Sequence, residues 1–96
     1  MNTYELVFIV VPTVEDEGLQ QQVETVSGRI AQLGGEVTKV DVWGRRRMAY
    51  PIRKFTDGHY VLLNMQMPPA AVTELDRELK LAEPILRHLV IRRDEE

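Results

Sequence analysis

The densest cluster of chemically active side chains in this 96-residue chain is basic. Residues 43–54 read WGRRRMAYPIRK and contain five cations and no acid. The chain as a whole carries a formal net charge of −3, because residues 1–43 contribute −5, residues 44–54 contribute +5 and residues 55–96 contribute −3. Exposed charges are screened beyond about 8 Å at physiological ionic strength, so a local basic cluster can bind phosphate even on an acidic protein.

Two interpretations of this cluster follow from its chemistry. In the first, it is a solvated surface hairpin whose arginines pair with acids such as Asp41 or Asp57. In the second, it is an arm that lies along a nucleic-acid backbone, since arginine forks match the geometry of phosphate. The interleaved Trp43 and Tyr50 would then stack on bases, or they belong to the core or to a protein interface.

Other kinds of chemistry find little support in the sequence. The chain contains no cysteine, which excludes disulfides, thiol catalysis and cysteine zinc sites. His59 and His88 are too far apart in sequence for a metal-ligand motif and are interpreted as structural or surface residues. An acyl-phosphate hydrolase would need a glycine-rich phosphate loop after the first strand, but residues 12–16 form an acidic turn. We therefore predict no enzyme activity, no metal, no cofactor and no small-molecule substrate.

Hydrophobic periodicity predicts six elements. The first helix is predicted from an apolar stripe at spacings of 4, 3, 4 and 3, formed by Leu19, Val23, Val26, Ile30 and Leu33. Thr13 or Asp16 is expected to cap its start, and Gly34-Gly35 to end it. In chain order we predict a strand at 3–12, a helix at 13–35, a hairpin at 36–67, a helix at 68–84 and a strand at 85–93. The hairpin is expected to turn at residues 53–58, where Asp57-Gly58 is a turn signal, and to bulge at Gly44.

This order predicts an α+β, ferredoxin-like fold of the split βαβ type, β-α-β-β-α-β. Two right-handed crossovers place both helices on one face of a four-stranded antiparallel sheet and leave the other face for solvent or a partner. Residues 1–96 are expected to form a single domain, with residues 94–96 as a short acidic tail. No apolar run approaches the roughly 20 residues of a membrane helix, and no signal peptide is evident. We expect a cytoplasmic protein with no membrane partner.

Two other modules share this topology. The RNA-recognition motif stacks bases on aromatic residues of its third strand. The corresponding stretch here, DGHYVLLN, has His59 at an aromatic position, so the signal is weak and Tyr60 is expected to pack in the sheet. The second is a protein-interaction or ligand-sensing regulatory module, which would not need a basic hairpin. It remains the alternative function.

The segment WGRRRMAYPI closely resembles the signature segment of the bacterial ribosomal small-subunit protein six family. The matching positions are Gly44, Arg46, Arg47, Ala49, Tyr50, Pro51 and Ile52, with Met48 where leucine is usual. Further matches are Tyr4-Glu5, the KxxxGxY pattern of Lys54, Gly58 and Tyr60, and ILRHLVIRR near the end. The resemblance covers the whole chain in order.

The resemblance implies a ferredoxin-like fold, no catalysis and a structural place in the small ribosomal subunit. It also implies binding to the central domain of small-subunit ribosomal RNA together with ribosomal small-subunit protein eighteen. The chain departs from some relatives in having Asn2 and Thr3 in place of basic residues, and from many in stopping at Glu96. We therefore expect fewer possible contacts at the two ends.

We predict RNA contacts from the basic hairpin and from the arginines of the last strand. These residues are Arg45, Arg46, Arg47, Arg53, Lys54, Arg87, Arg92 and Arg93. Arg45 is the best candidate for pure phosphate contact, because the signature leaves its position open, whereas Arg46 and Arg47 also suit pairing with sheet acids. Tyr50 and Pro51 are expected to shape the hairpin. Leu62, Met65 and Met67 belong either to a protein-partner face or to the core.

Overall fold

Six elements in the predicted order make up the fold. The computed structural model describes residues 1–93, and the acidic tail at 94–96 lies outside them. The elements are β1 (Asn2–Val10), α1 (Asp16–Gln32), β2 (Glu36–Ile52), β3 (Phe55–Met67), α2 (Pro69–Leu81) and β4 (Ile85–Arg93). None of the helices among these residues is long and apolar enough to cross a membrane.

The four strands form one antiparallel sheet in the order β2-β3-β1-β4. Alternate residues of β1 and β3, such as Leu6 and its partner Leu63, are fully buried in one core. The same core contains Ile30 of α1 and Leu75 of α2, so both helices pack on one face of the sheet. The ferredoxin-like α+β fold is therefore confirmed. We call the opposite face of the sheet the open face.

The apolar stripe of α1 explains why this segment is helical. Leu19, Val23, Val26 and Ile30 are all buried, as their spacing predicts. Gly34 follows the helix with φ of +89°, a conformation that suits glycine and confirms the predicted stop. The capping prediction was wrong, because Glu15 occupies the N-cap and makes no side-chain capping bond.

The turn of the β2–β3 hairpin differs from the prediction. Ile52 pairs with Phe55, and the two residues between them, Arg53 and Lys54, have φ of +50° and +71°. Positive φ at both central residues corresponds to a type I′ turn, whose twist matches that of the strands. Gly58 lies within β3, opposite Arg46, and not in the turn. The predicted turn at 53–58 was therefore too long.

A bulge in β2 changes the direction of the side chains in the basic stretch. The register with β3 shifts between Val42 and Gly44, and Gly44 has φ of +90°, which confirms the predicted irregularity. Trp43 is the extra residue. Beyond the bulge, Gly44 lies opposite Tyr60 and Arg45 opposite His59. Because one residue of slip moves side chains to the other face, this bulge decides which arginines share a face.

Candidate nucleic-acid interface

The centre of the open face is apolar. Ile9 of β1 pairs with Tyr60 of β3, and both point away from the helices. Leu62 lies on the same face, whereas Met65 and Met67 are fully buried in the core under the helices. The sequence did not show which of these three residues belong to the core and which to a partner surface. In the structure, only Leu62 lies where a protein partner could contact it.

An aromatic pair lies along the β2 side of the open face. The rings of Trp43 and Tyr60 are nearly parallel, with an angle of 6° and centroids 6.2 Å apart. The guanidinium of Arg46 lies 5.7 Å from the Trp43 ring centroid, within the range of a cation–π contact. Trp43 Nε1 donates a hydrogen bond to Asp41 Oδ2 at 3.2 Å. The Arg46 guanidinium and the rings of Trp43 and Tyr60 therefore lie next to one another on a solvent-accessible surface.

The tip of the hairpin adds a second cation and ring. Met48 of the tip and Ile9 of β1 are each only 7% exposed, although neither belongs to the core under the helices. Both are therefore buried on the open face. Tyr50 remains 56% exposed. Arg87 of β4 donates to the Tyr50 hydroxyl at 2.5 Å, and its guanidinium lies 6.0 Å from the Tyr50 ring centroid. The tip thus reaches across the open face to β4.

These groups enclose a cavity of about 120 Å³ on the open face. Ile9, Met48, Tyr50, Tyr60 and Arg87 are among the residues that line it. Tyr60 belongs both to this cavity and to the stack with Trp43, so the two cation–aromatic groups are contiguous. The sequence pattern assigned Tyr60 to packing within the sheet, and the structure shows it half-buried and in contact with this site.

Two arginines of the hairpin that were predicted to contact RNA, Arg45 and Arg53, have hydrogen-bonding partners elsewhere in the fold. Arg45 makes an ion pair with Asp57, one of the acids named in the solvated-hairpin interpretation. Arg53 donates from Nη2 to the backbone oxygens of Glu83 and Ile85, at 2.9 and 3.3 Å. Phosphate contact by either residue stays a prediction, and for Arg45 it must replace or accompany an existing ion pair.

Arg47 and Lys54 have a different environment. Both are exposed, and neither side chain has an ion pair or hydrogen bond to another residue within 1–93. Each cation is therefore available to an outside anion without first breaking a contact. The interpretation that Arg46 and Arg47 brace the sheet by pairing with acids finds no such pair among these residues, and Arg45 makes the pair instead.

The arginines of β4 alternate between the two faces. Arg87 lies opposite Ile9 on the open face, and Arg93 lies opposite Thr3 at the far end of the same face. Arg93 donates to Glu5 Oε1 at 2.7 Å. Arg92 lies opposite Tyr4, on the helix side, and is exposed. The eight predicted contacts therefore do not form one patch, and only Arg46 and Arg87 flank the aromatic site.

The two histidines have contacts that hold elements together. His59 Nε2 is 2.9 Å from the backbone oxygen of Val14, which accepts a hydrogen bond from it. His88 Nε2 lies 2.7 Å from Asp76 Oδ1 and links β4 to α2. This hydrogen bond lowers the pKa of Asp76. No group of three or more potential metal-binding side chains occurs within the part of the chain that the structure describes.

Comparison with known proteins decides between the ribosomal and regulatory interpretations. The family model described as "Ribosomal protein S6" matches residues 3–92. The chain belongs to the ribosomal protein S6 family. Among the S6 relatives, the small ribosomal subunit protein bS6 of Heliobacterium modesticaldum is 44% identical over 96 residues and both chains are covered in full. That of Mycolicibacterium paratuberculosis is 44% identical over 94 residues, 98% of each chain.

A solved S6 structure has the same fold. The crystal structure of 30S ribosomal protein S6 from Thermotoga maritima superimposes with a TM-score of 0.89 at 31% sequence identity, over 96% of this chain and 87% of the other. Members of the S6 family are structural, non-enzymatic components of the small ribosomal subunit, which is cytoplasmic in bacteria. The chain has this structural ribosomal role, which confirms the resemblance seen in its signature segment.

Proposed function

We propose that the chain binds the central domain of small-subunit ribosomal RNA together with ribosomal small-subunit protein eighteen. Residues 1–96 act as one domain in this role. The observation that supports the proposal most is the composition of the surface that the helices leave uncovered. It combines exposed aromatic and aliphatic side chains with guanidinium groups on a chain whose net charge is −3.

A protein partner fits the apolar part of this surface. Trp43, Tyr50 and Leu89 are 41%, 56% and 52% exposed. Burying such side chains removes apolar surface from water, which favours the formation of a complex. A partner that brought its own positive charge would also offset the acidic surface of the rest of the chain, which opposes binding to RNA.

The cations supply the RNA contacts in this proposal. Arg47 and Lys54 contact phosphate first, because no partner within residues 1–93 competes for them. Arg46 and Arg87 lie beside the aromatic rings and approach the RNA where bases are exposed. Contacts to phosphate fix the position of a protein on RNA without reading its sequence. The remaining predicted contacts, which lie away from the aromatic rings, are Arg45, Arg53, Arg92 and Arg93.

A gel-shift titration with a central-domain ribosomal RNA fragment tests the proposal. The protein alone is expected to bind weakly, and addition of ribosomal small-subunit protein eighteen is expected to raise its affinity. Lys54→Ala should weaken the complex. Lys80→Ala, at an exposed lysine of α2 on the helix side, is the matched control and should leave affinity unchanged. Equal affinity with and without the partner would contradict the proposal.

A further inference from the structure

A groove between the two helices lies on the side of the fold away from the open face, and we call it the helix groove. Its volume is about 340 Å³, within the roughly 300–1,000 Å³ that is usual for ligand pockets. Leu75, Leu79 and Ile85 line the groove and belong to the core, so its depth is apolar. An ion pair between Arg29 of α1 and Glu78 of α2 joins the two helices beside it.

Gly28 of α1 is exposed and lines the helix groove. Glycine in the middle of a helix is less favourable than alanine. Each of the other five glycines has either a positive φ or a neighbouring atom closer than 3.0 Å to the place of a Cβ atom. Gly28 has neither. Within residues 1–93, no atom other than its chain neighbours and the backbone of its own helix lies within 4 Å of the place where its Cβ would stand. The space above Gly28 is therefore available to a molecule that approaches α1 closely.

The walls of the groove favour a helix as its occupant. The backbone N–H and C=O groups in the middle of α1 and α2 are used within the helices, so an extended peptide cannot add to them as it does to a sheet edge. A helix instead lays an apolar stripe into a groove, and a glycine lets its backbone come close. Leu81 is 77% exposed and lies on the same side of α2 as Glu78, three residues before it. A helix in the groove would cover Leu81 as well.

The charge around the groove favours a basic partner. Together α1 and α2 contain six acids and three bases, and each of the three bases already pairs with an acid of these helices. Glu24 lines the groove, is exposed and has no ion pair within residues 1–93. Such a surface repels the phosphates of RNA and also the same face of a second copy of the chain, whereas it attracts lysine and arginine.

We propose that the helix groove is the docking site for a basic amphipathic helix of another protein. Apolar side chains of that helix fill the groove over Leu75 and Leu79, and its backbone lies close to Gly28. Its lysine or arginine side chains face Glu24. This inference goes beyond the proposed function, because the open face stays available to ribosomal RNA and to ribosomal small-subunit protein eighteen. The chain can therefore hold a further protein while it is bound to the small subunit.

Titration with a synthetic peptide tests the docking site. The probe has about 18 residues, enough to form a helix once bound, with leucines on one face and lysines on the other. The control peptide keeps the leucines and has glutamate at each lysine position. In NMR spectra of the isotopically labelled full chain, the lysine peptide should shift the amide resonances of Gly28 and the residues around the groove. It should bind on the order of 10-fold more tightly than the glutamate peptide.

Variants assign this binding to the groove. Gly28→Leu fills the space above α1 and should weaken binding of the lysine peptide by about 10-fold, with the fold kept because leucine is the better helix former. Gln20→Leu, at an exposed residue of α1 outside the groove, is the matched control and should leave affinity unchanged. Glu24→Gln should lower affinity for the lysine peptide, whereas Glu17→Gln, at an exposed acid of α1 outside the groove, should not.

Binding of neither peptide, or equal binding of both, would overturn the docking site. Wild-type affinity of Gly28→Leu for the lysine peptide would place the peptide elsewhere and would overturn it too. Self-association of the free chain that Gly28→Leu abolishes, measured by analytical ultracentrifugation, would assign the groove to a second copy instead. Loss of RNA binding in Gly28→Leu would assign the helix side to RNA. Failure of the docking site leaves the gel-shift result of the wild type with ribosomal RNA unaffected, so the two proposals fail separately.

Discussion

Arg53 combines a strained backbone with a structural side-chain contact, and this combination gives a prediction with two parts. The residue has φ of +50°, and its guanidinium donates to the backbone oxygens of Glu83 and Ile85. The hairpin turn is thereby tied to the segment between α2 and β4. Replacing Arg53 with alanine removes these hydrogen bonds but keeps the unfavourable backbone conformation, whereas replacing it with glycine removes both.

The magnitudes follow from these two contributions. A hydrogen bond to a charged group contributes about 1.5–3 kcal/mol when well shielded, but Arg53 is exposed, so we expect Arg53→Ala to cost about 1 kcal/mol. The left-handed conformation costs an L-residue about 1–2 kcal/mol. Glycine avoids this cost but loses about 0.5–1 kcal/mol in backbone entropy. The glycine variant should therefore be more stable than the alanine variant by about 0.5–1 kcal/mol.

Urea denaturation of the wild type and the two variants measures both differences. Lys54→Gly is a matched control, since Lys54 has the same strain, with φ of +71°, and no hydrogen bond of its side chain within residues 1–93. It should be at least as stable as the wild type. If Arg53→Ala were as stable as the wild type, the tie would contribute nothing. If Arg53→Gly were less stable than Arg53→Ala, the reasoning about strain would be wrong.

Two further predictions concern the packed side of the sheet. Leu75→Ala and Ile30→Ala should each lower the free energy of unfolding by about 2–5 kcal/mol, because both side chains are buried in the core; a loss below about 0.5 kcal/mol by urea denaturation would be at odds with this burial. The second concerns pH. The hydrogen bond from His88 lowers the pKa of Asp76 below its unfolded value of about 3.9. Its contribution to stability is therefore present above about pH 4 and lost as the pH falls through the folded pKa. Asp76→Asn should be less stable than the wild type near neutral pH, and the difference should shrink below about pH 4; a difference independent of pH in unfolding experiments would argue against this link.

The sequence predicted the elements well wherever hydrophobic period alone decides them. The stripe of α1 from Leu19 to Ile30 is buried as predicted, and the order of elements left few topologies to consider. Gly44 was correctly assigned to an irregularity of β2. Each of these inferences depends on the local sequence pattern. The buried residues of α1 pack on β1 and β3 in one core, as those patterns predict.

The hairpin turn was misassigned because its chemistry is unusual. Arg53 and Lys54 occupy left-handed positions where Asn-Gly or Asp-Gly would be expected. Asp57-Gly58 carries that signal but lies in β3. Gly58 is required there for another reason, since a Cβ atom would lie 2.5 Å from Cγ2 of Ile9 on the open face. Packing across strands, which the sequence does not display, accounts for this glycine.

The sequence alone also could not predict how the cations are divided between the two faces of the sheet. The bulge at Trp43 sets the faces on which residues 44–47 of β2 lie, and its position cannot be read from the run of arginines. It places Arg46 on the open face and Arg45 beside Asp57. The site formed by Tyr60, Tyr50 and Arg87 draws on three strands. In the sequence these residues stand far apart, and each of them alone is explained by an ordinary structural role, so no pattern pointed to a shared site.

The salt dependence of RNA affinity tests most directly whether the basic hairpin neutralises phosphate. The measurement is the affinity of the protein, with ribosomal small-subunit protein eighteen, for the central-domain RNA across a salt series. Each lost phosphate contact should reduce the log–log slope by about 0.7–0.9, so Arg45→Ala and Lys54→Ala should each show a shallower slope. Tyr50→Ala carries no change of charge and should lower affinity with the slope nearly unchanged. Unchanged slopes for both charge variants would contradict the account and leave the cluster as a solvated surface.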